Sequence, residues 1–198
     1  LNCAQGTLPK NLSVQSNLVT LALSNNGFVG TISEDYGALN KLENFVLDNN
    51  DFSGTLPESL GSLTKIDWLW IDHNNLSGNL PENLRNMQKA TEMKFSNNNF
   101  NGSLPSMWGA GLEQLTLLDI SNNPNLEGVV PDSFQGMSDL ETFALAGTHI
   151  TGGLRDNFCD GGSPQLASLI AECGGDQPKI DCPCCTICCD RDICLESP

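Results

Sequence analysis

Residues Ile66 to Pro81 read I-D-W-L-W-I-D-H-N-N-L-S-G-N-L-P. Within this stretch Ile66, Leu69, Ile71, Asn74, Leu76, Gly78, Leu80 and Pro81 form a template. The template recurs 24 residues upstream at Leu42, Phe45, Leu47, Asn50, Phe52, Gly54, Leu56 and Pro57. It recurs 24 residues downstream at Ala90, Met93, Phe95, Asn98, Phe100, Gly102, Leu104 and Pro105. An earlier copy runs Leu18, Leu21, Leu23, Asn26, Phe28, Gly30, Ile32, with Ser33 in the proline place. A later copy runs Leu115, Leu118, Ile120, Asn123, Leu126, Gly128, Val130, Pro131, with one extra residue before its strand and one after Asn123. The last copy, Leu140, Phe143, Leu145, Ile150, Gly152, Leu154, has Thr148 in the Asn place and Arg155 in the Pro place. A fixed period of this length marks a chain wound into stacked coils, with atypical copies at its ends.

Each place in the template has a physical job. Leu69 and Ile71 alternate with Trp68 and Trp70, so one pair enters the core and the other faces out. Asn50, Asn74, Asn98 and Asn123 stand where the chain leaves the strand and its backbone groups lose partners. An amide offers both donors and acceptors there. Gly54, Gly78 and Gly102 allow backbone angles that other residues resist. Phe28, Phe52 and Phe100 are expected to stack as a spine, with Leu76, Leu126 and Ile150 filling the same line. Apolar residues three apart after each proline, such as Leu60 and Leu63 or Leu84 and Met87, suit a short helical turn. Trp108 falls at this buried place, equivalent to Tyr36 and Leu60, and reads as core.

The spacing L-x-x-L-x-L-x-x-N-x-L, followed by x-G-x-L-P, resembles the plant-type leucine-rich repeat over about four fifths of the chain. The resemblance is to receptor-like protein and kinase ectodomains and to secreted inhibitors of cell-wall hydrolases, the polygalacturonase-inhibitor type. It implies an α/β-type solenoid, a right-handed curved superhelix. A parallel sheet lines its concave face and 3-10 or helical turns its convex side. Residues 1–158 are the expected solenoid and residues 159–198 a cysteine-rich cap.

Leu1 falls inside a repeat, since Asn2, Gly6, Leu8 and Pro9 match Asn26, Gly30, Ile32 and the proline place. The expectation is a longer protein or a second chain covering this end, with Cys3 pairing upstream or simply buried.

The concave columns follow from the register. The first is Thr20, Asn44, Trp68, Glu92, Leu117, Thr142, and the second Ala22, Val46, Trp70, Lys94, Asp119, Ala144. The third is Ser24, Asp48, Asp72, Ser96, Ser121, Ala146, and the fourth Asn25, Asn49, His73, Asn97, Asn122, Gly147. Most of these residues are small or polar. Trp68 and Trp70 stand out, flanked by Val46 and Leu117 and ringed by Asp48, Asp72, His73, Glu92, Lys94 and Asp119. Exposed paired tryptophans with a polar rim resemble a binding hot spot. The plainer reading is that the two rings only stack on each other. The expected ligand is a protein, a peptide, or a glycan stacked on the indoles.

Sequons occur at Asn11, Asn75 and Asn101. Asn75 and Asn101 occupy outward places where a glycan fits a secreted chain. Nine cysteines are present, eight of them from Cys159 onward: Cys159, Cys173, Cys182, Cys184, Cys185, Cys188, Cys189 and Cys194. That density suits an oxidising compartment, so the expected location is extracellular, secreted or at a cell surface, and could be the ectodomain part of a membrane protein. Ser163-Pro164 reads as a helix start, with Leu166, Leu169, Ile170 and Cys173 on one face and Gly174-Gly175 as its stop. This helix is expected to cap the last coil. The C-x-C-C-x-x-C-C spacing also fits a metallothionein-like thiolate cluster, but the caps of secreted leucine-rich repeats imply disulfides, and no metal is assigned. Connectivity is not readable, because eight cysteines allow 105 pairings. The D-C-P-C-C-T-I-C-C run resembles the ends of diatom and other stramenopile leucine-rich repeat proteins.

Net charge is −15, which disfavours nucleic acid and anionic membrane as partners. No apolar run is long enough to span a bilayer. No P-loop, dinucleotide fingerprint or zinc-protease motif is present, and no cofactor or catalytic residue is assigned. His73 beside Asp72 could imitate a base and its orienting partner, but neighbours on a strand are expected to diverge. Two functions remain: a non-enzymatic interaction domain using the concave face, or a structural subunit of a larger assembly held by its ends or convex side.

Overall fold

A computed structural model describes residues 4–154, 158, 166–173, 180, 182–190 and 193–196. The five coils from Thr20 to Gly136 give the same sequence of elements. A three-residue strand comes first, a tight turn follows, then a second short strand and a 3-10 turn. The first strands are Thr20–Ala22, Asn44–Val46, Trp68–Trp70, Glu92–Lys94, Leu117–Asp119 and Thr142–Ala144. They pair in parallel, with Trp68 opposite Asn44 and Glu92, and Trp70 opposite Val46 and Lys94.

The core is the set of template positions. Leu69, Ile71, Met93, Phe95, Leu118 and Ile120 are fully buried, whereas Trp68 is 38% exposed. The alternation therefore runs as the sequence implies. The turns at the convex side are 3-10: Glu34–Ala38, Glu58–Ser62, Glu82–Asn86, Trp108–Ala110 and Asp132–Gly136 among them. Tyr36, Leu60 and Trp108 are all buried there. The Tyr36 hydroxyl donates to the Pro9 carbonyl at 3.0 Å and the Trp108 indole to the Pro81 carbonyl at 3.1 Å. One polar group on each large ring is thus satisfied by the coil before it.

The asparagine ladder is fully engaged. Asn74 Nδ2 donates to the carbonyls of Leu47, Ile71 and Asp72, each at 3.1 Å, and its Oδ1 accepts from the Phe52 amide at 3.0 Å. Asn50, Asn98 and Asn123 repeat the pattern. Thr148 ends it, donating to Leu145 alone in the three-carbonyl set. In the spine, Phe28 and Phe52 stack with centroids 6.2 Å apart, while Leu76 separates Phe52 from Phe100 and Phe100 meets Phe95 edge-on.

Two features depart from the expectation. The residues after each Asn form a second parallel sheet of seven strands, from Gln5–Thr7 to His149–Ile150. The template's glycines serve its bends: Gly54, Gly78 and Gly102 have φ of 80°, 79° and 74°. The second departure lies after the last repeat. The expected capping helix is, over its described residues 166–173, a strand at Ser168–Ala171. It pairs with Thr142–Ala144, setting Leu169 beside Phe143. Leu166, Leu169 and Ala171 fit the repeat's spacing, as Leu166, Leu169, Ile170 and Cys173 fit a helix face. The open sheet edge, with unpaired backbone groups, decides between the two. Ile187–Asp190 then adds in parallel and Ile193–Glu196 closes antiparallel, making a sheet of nine strands.

Disulfides join Cys173 to Cys188 and Cys182 to Cys185. Cys184 and Cys189 are disulfide-bonded too. Cys159, the side chain of Cys194, and the 158/159 boundary of the expected cap lie outside the described residues. No helix among the described residues is long and apolar enough to cross a membrane.

Candidate functional site on the inner sheet

Trp68 and Trp70 share one face of one strand, two residues apart, and their rings stack. The centroids are 5.0 Å apart and the planes 10° from parallel. Offset stacking of this kind stabilises a pair by about 0.5–1.5 kcal/mol beyond area burial. Trp70 is the inner member. Lys94 also lies over its ring, with Nζ 3.7 Å from a ring centroid. The same ammonium pairs with Glu92 at 3.2 Å. The Trp70 indole N–H is buried with no acceptor.

The rim is acidic. Asp48 accepts from Ser24 Oγ at 2.5 Å and from Asn49 at 2.7 Å. Asp119 accepts from the Ser121 amide and hydroxyl. Burial raises the Asp72 carboxyl above its ordinary range, and the neighbouring Asp48 charge adds to this. The hydrogen bond with His73 opposes the shift.

Not every one of the expected residues is open to solvent. Val46 is 7% exposed, covered where it pairs with Trp70, so it belongs to the floor rather than the face. Leu117 remains half-buried at the side. His73 and Asp72 do meet, contrary to the expectation that they diverge: Nδ1 and Oδ2 are 2.8 Å apart. The reason is backbone. His73 has φ of 51°, as do its column mates Asn25, Asn49, Asn97 and Asn122 within a few degrees. That column is a left-handed turn and not a strand position, and Asn is the non-glycine residue most tolerant of it. Among the described residues no nucleophile hydrogen-bonds to the His73 ring.

The sequence had not signalled the Lys94 contact. The clue lay in the register, since Lys94 stands one coil beyond Trp70 in the same column. Asn11, Asn75 and Asn101 are all exposed. Asn75 opens one strand of the second sheet and Asn101 lies within another, on a different sheet from the tryptophans.

Comparison with known proteins agrees with this architecture. Leucine rich repeat family profiles match residues 88–150, and also 41–63 and 65–87, together more than half of the chain. No curated protein matches. Among solved structures, the plant peptide hormone receptor RGFR1 in complex with RGF2 superposes with a TM-score of 0.80 at 28% identity, over 86% of this chain and 26% of that one. The Arabidopsis receptor kinase HAESA, in complex with the peptide hormone IDA and the co-receptor SERK1, gives 0.71 at 34% identity, over 76% and 25%. A plant ice-binding protein gives 0.73 at 23% identity, over 85% and 55%, and shares the fold. The chain spans about a quarter of the length of the two receptors.

Proposed function

The chain belongs to the leucine-rich repeat family, and from that premise we propose that it is a non-catalytic, extracellular interaction domain. Its inner sheet receives a protein or peptide at Trp68 and Trp70. One observation carries the reading: Trp68 stays 38% exposed on a rigid parallel sheet whose other inner positions are mostly small or polar. A large ring fixed by stacking loses little side-chain freedom on docking, so more of its contact energy remains as affinity. The peptide complexes of the similar receptors support a peptide or protein as the occupant over a glycan.

Three further features fit an extracellular module. The C-terminal disulfides belong to an oxidising compartment. Glycans on Asn75 and Asn101 would sit on the second sheet and leave the inner face open. The acidic surface favours dispersal over association with nucleic acid or anionic lipid.

The test is a random-peptide display selection on the folded protein, with each enriched peptide re-measured on a Trp68→Ala/Trp70→Ala double variant. The variant should keep the wild-type circular dichroism and a cooperative melt, with a midpoint only a few degrees lower from the lost stacking, and lose about tenfold or more in affinity. Equal binding to the variant would overturn the inner-face reading and favour a structural role through the ends or convex side.

A further inference from the structure

The inner face already holds one cation on an indole. Lys94 Nζ lies 3.7 Å from a Trp70 ring centroid, well within the ~6 Å reach of a cation–π attraction. Glu92 supplies the opposing charge at 3.2 Å. Trp68 repeats half of that arrangement. One side of its ring is taken by Trp70, and it is the exposed member of the pair. Its neighbours across the strands are Asn44 and Glu92, and neither is a cation.

The charge around the pair is one-sided. Asp48, Asp72, Glu92 and Asp119 share the inner columns with a single lysine, Lys94, whose ammonium is already engaged, while the His73 ring lies against Asp72. Asp48 and Asp72 occupy the same column on adjacent coils, and the Asp48 charge disfavours ionisation of Asp72. Carboxylates crowded in this way are relieved by an incoming positive charge and aggravated by a negative one. The whole chain adds to the field at net −15. An anionic ligand would meet this rim within a screening length of ~8 Å.

We propose that the partner presents a cationic side chain, the guanidinium or ammonium of a basic peptide segment, which packs on the open face of Trp68 with the acidic rim as its counter-charge. A guanidinium suits the site best, since its plane stacks on an aromatic face while its N–H groups reach carboxylates. This rests on the inner-face reading above and goes further, because it fixes the chemistry of the residue that docks.

The experiment follows the indole N–H signals of Trp68, Trp70 and Trp108 by NMR in the folded, oxidised protein. Trp108 is an internal reference, being fully buried and bonded to Pro81. The probe is an acetylated, amidated glycine pentapeptide with arginine at its second and fourth positions. Its counterparts carry citrulline or glutamate there. The arginine peptide should move the Trp68 and Trp70 signals and leave Trp108 still. The citrulline peptide, equal in shape but uncharged, should bind about tenfold more weakly, and the glutamate peptide should move nothing. Trp68→Leu keeps the net charge and should weaken the arginine peptide by a similar factor. Equal shifts from the citrulline peptide would overturn the cation while leaving the docking face intact. Unchanged arginine binding in Trp68→Leu would reduce the effect to diffuse attraction and overturn the proposal. An arginine peptide that moves neither indole would overturn it as well.

Discussion

The Oδ1 of Asn74 accepts the backbone N–H of Phe52, one coil earlier, at 3.0 Å. The same side chain donates to three carbonyls at 3.1 Å. Asn74 is thus a single side chain that ties two coils together at the place where both leave the inner sheet. Asn74→Ala would strand a buried amide and leave its carbonyls short of a donor. Each buried unpaired group costs about 1–3 kcal/mol, so a loss of about 3 kcal/mol or more is expected. Urea denaturation should show a lower midpoint with a similar slope.

The three tryptophans divide by role, and stability separates them. Trp108 is fully buried, and Trp108→Ala should cost about 3–5 kcal/mol. Trp68→Ala removes a ring that is 38% exposed and should cost about 1 kcal/mol, most of it the lost stacking on Trp70. Thermal melts of the two variants side by side check the ordering. A larger loss at Trp68 than at Trp108 would contradict the register.

The Cys173–Cys188 disulfide links the second residue after strand Ser168–Ala171 to strand Ile187–Asp190, across 15 residues. Closing a loop of that length stabilises by about 3 kcal/mol in the chain-entropy account. Cys182–Cys185 closes only 3 residues and should contribute less. Replacing Cys173 and Cys188 by Ala should therefore raise amide exchange over residues 166–173, with little change from Asn44 to Lys94. Hydrogen exchange read by mass spectrometry resolves the two regions.

Asp72 sets a pH dependence of definite sign. Burial raises its carboxyl in the folded state, and Asp48 on the preceding coil adds to the rise. His73 alongside opposes it by hydrogen bonding, and the facing position on the following coil is the uncharged Ser96. A raised folded value means that the folded chain holds this proton more tightly than the unfolded chain. Its contribution is therefore fully present below the unfolded carboxylate value and lost as pH rises through the raised one. Asp72→Asn should gain stability relative to wild type as pH rises from the acid range to neutrality. Chemical denaturation at pH 3 and pH 7 reads the difference, and a gain confined to acid pH would contradict it.

Most of the solenoid could be read from residue spacing, because each coil repeats one physical problem with one solution. Leu69 and Ile71 had to be buried, Asn74 had to satisfy a turn, and Gly78 had to bend. The second sheet was less visible. Residues such as Asn75 and Ser77 are polar on both sides of Leu76, and their pairing depends on the next coil rather than on local pattern. Leu166 to Cys173 was misread for a related reason: its apolar spacing satisfies a helix and a repeat strand equally, and only the waiting sheet edge at Thr142–Ala144 chooses. The aromatic pair was legible as an exposed feature. The Lys94 ammonium on Trp70 and the left-handed turn that brings His73 to Asp72 were not, since both arise from contacts and angles that alternation does not encode.

Hydroxyl-radical footprinting of the protein with a peptide from the display selection tests the docking claim most directly, since mass spectrometry reads oxidation at each tryptophan. Trp68 should oxidise readily in the free protein and lose most of that reactivity in the complex, with Trp108 inert in both. Unchanged oxidation of Trp68 in the complex, with protection falling instead on His149 of the second sheet or Met107 of the convex side, would contradict the account.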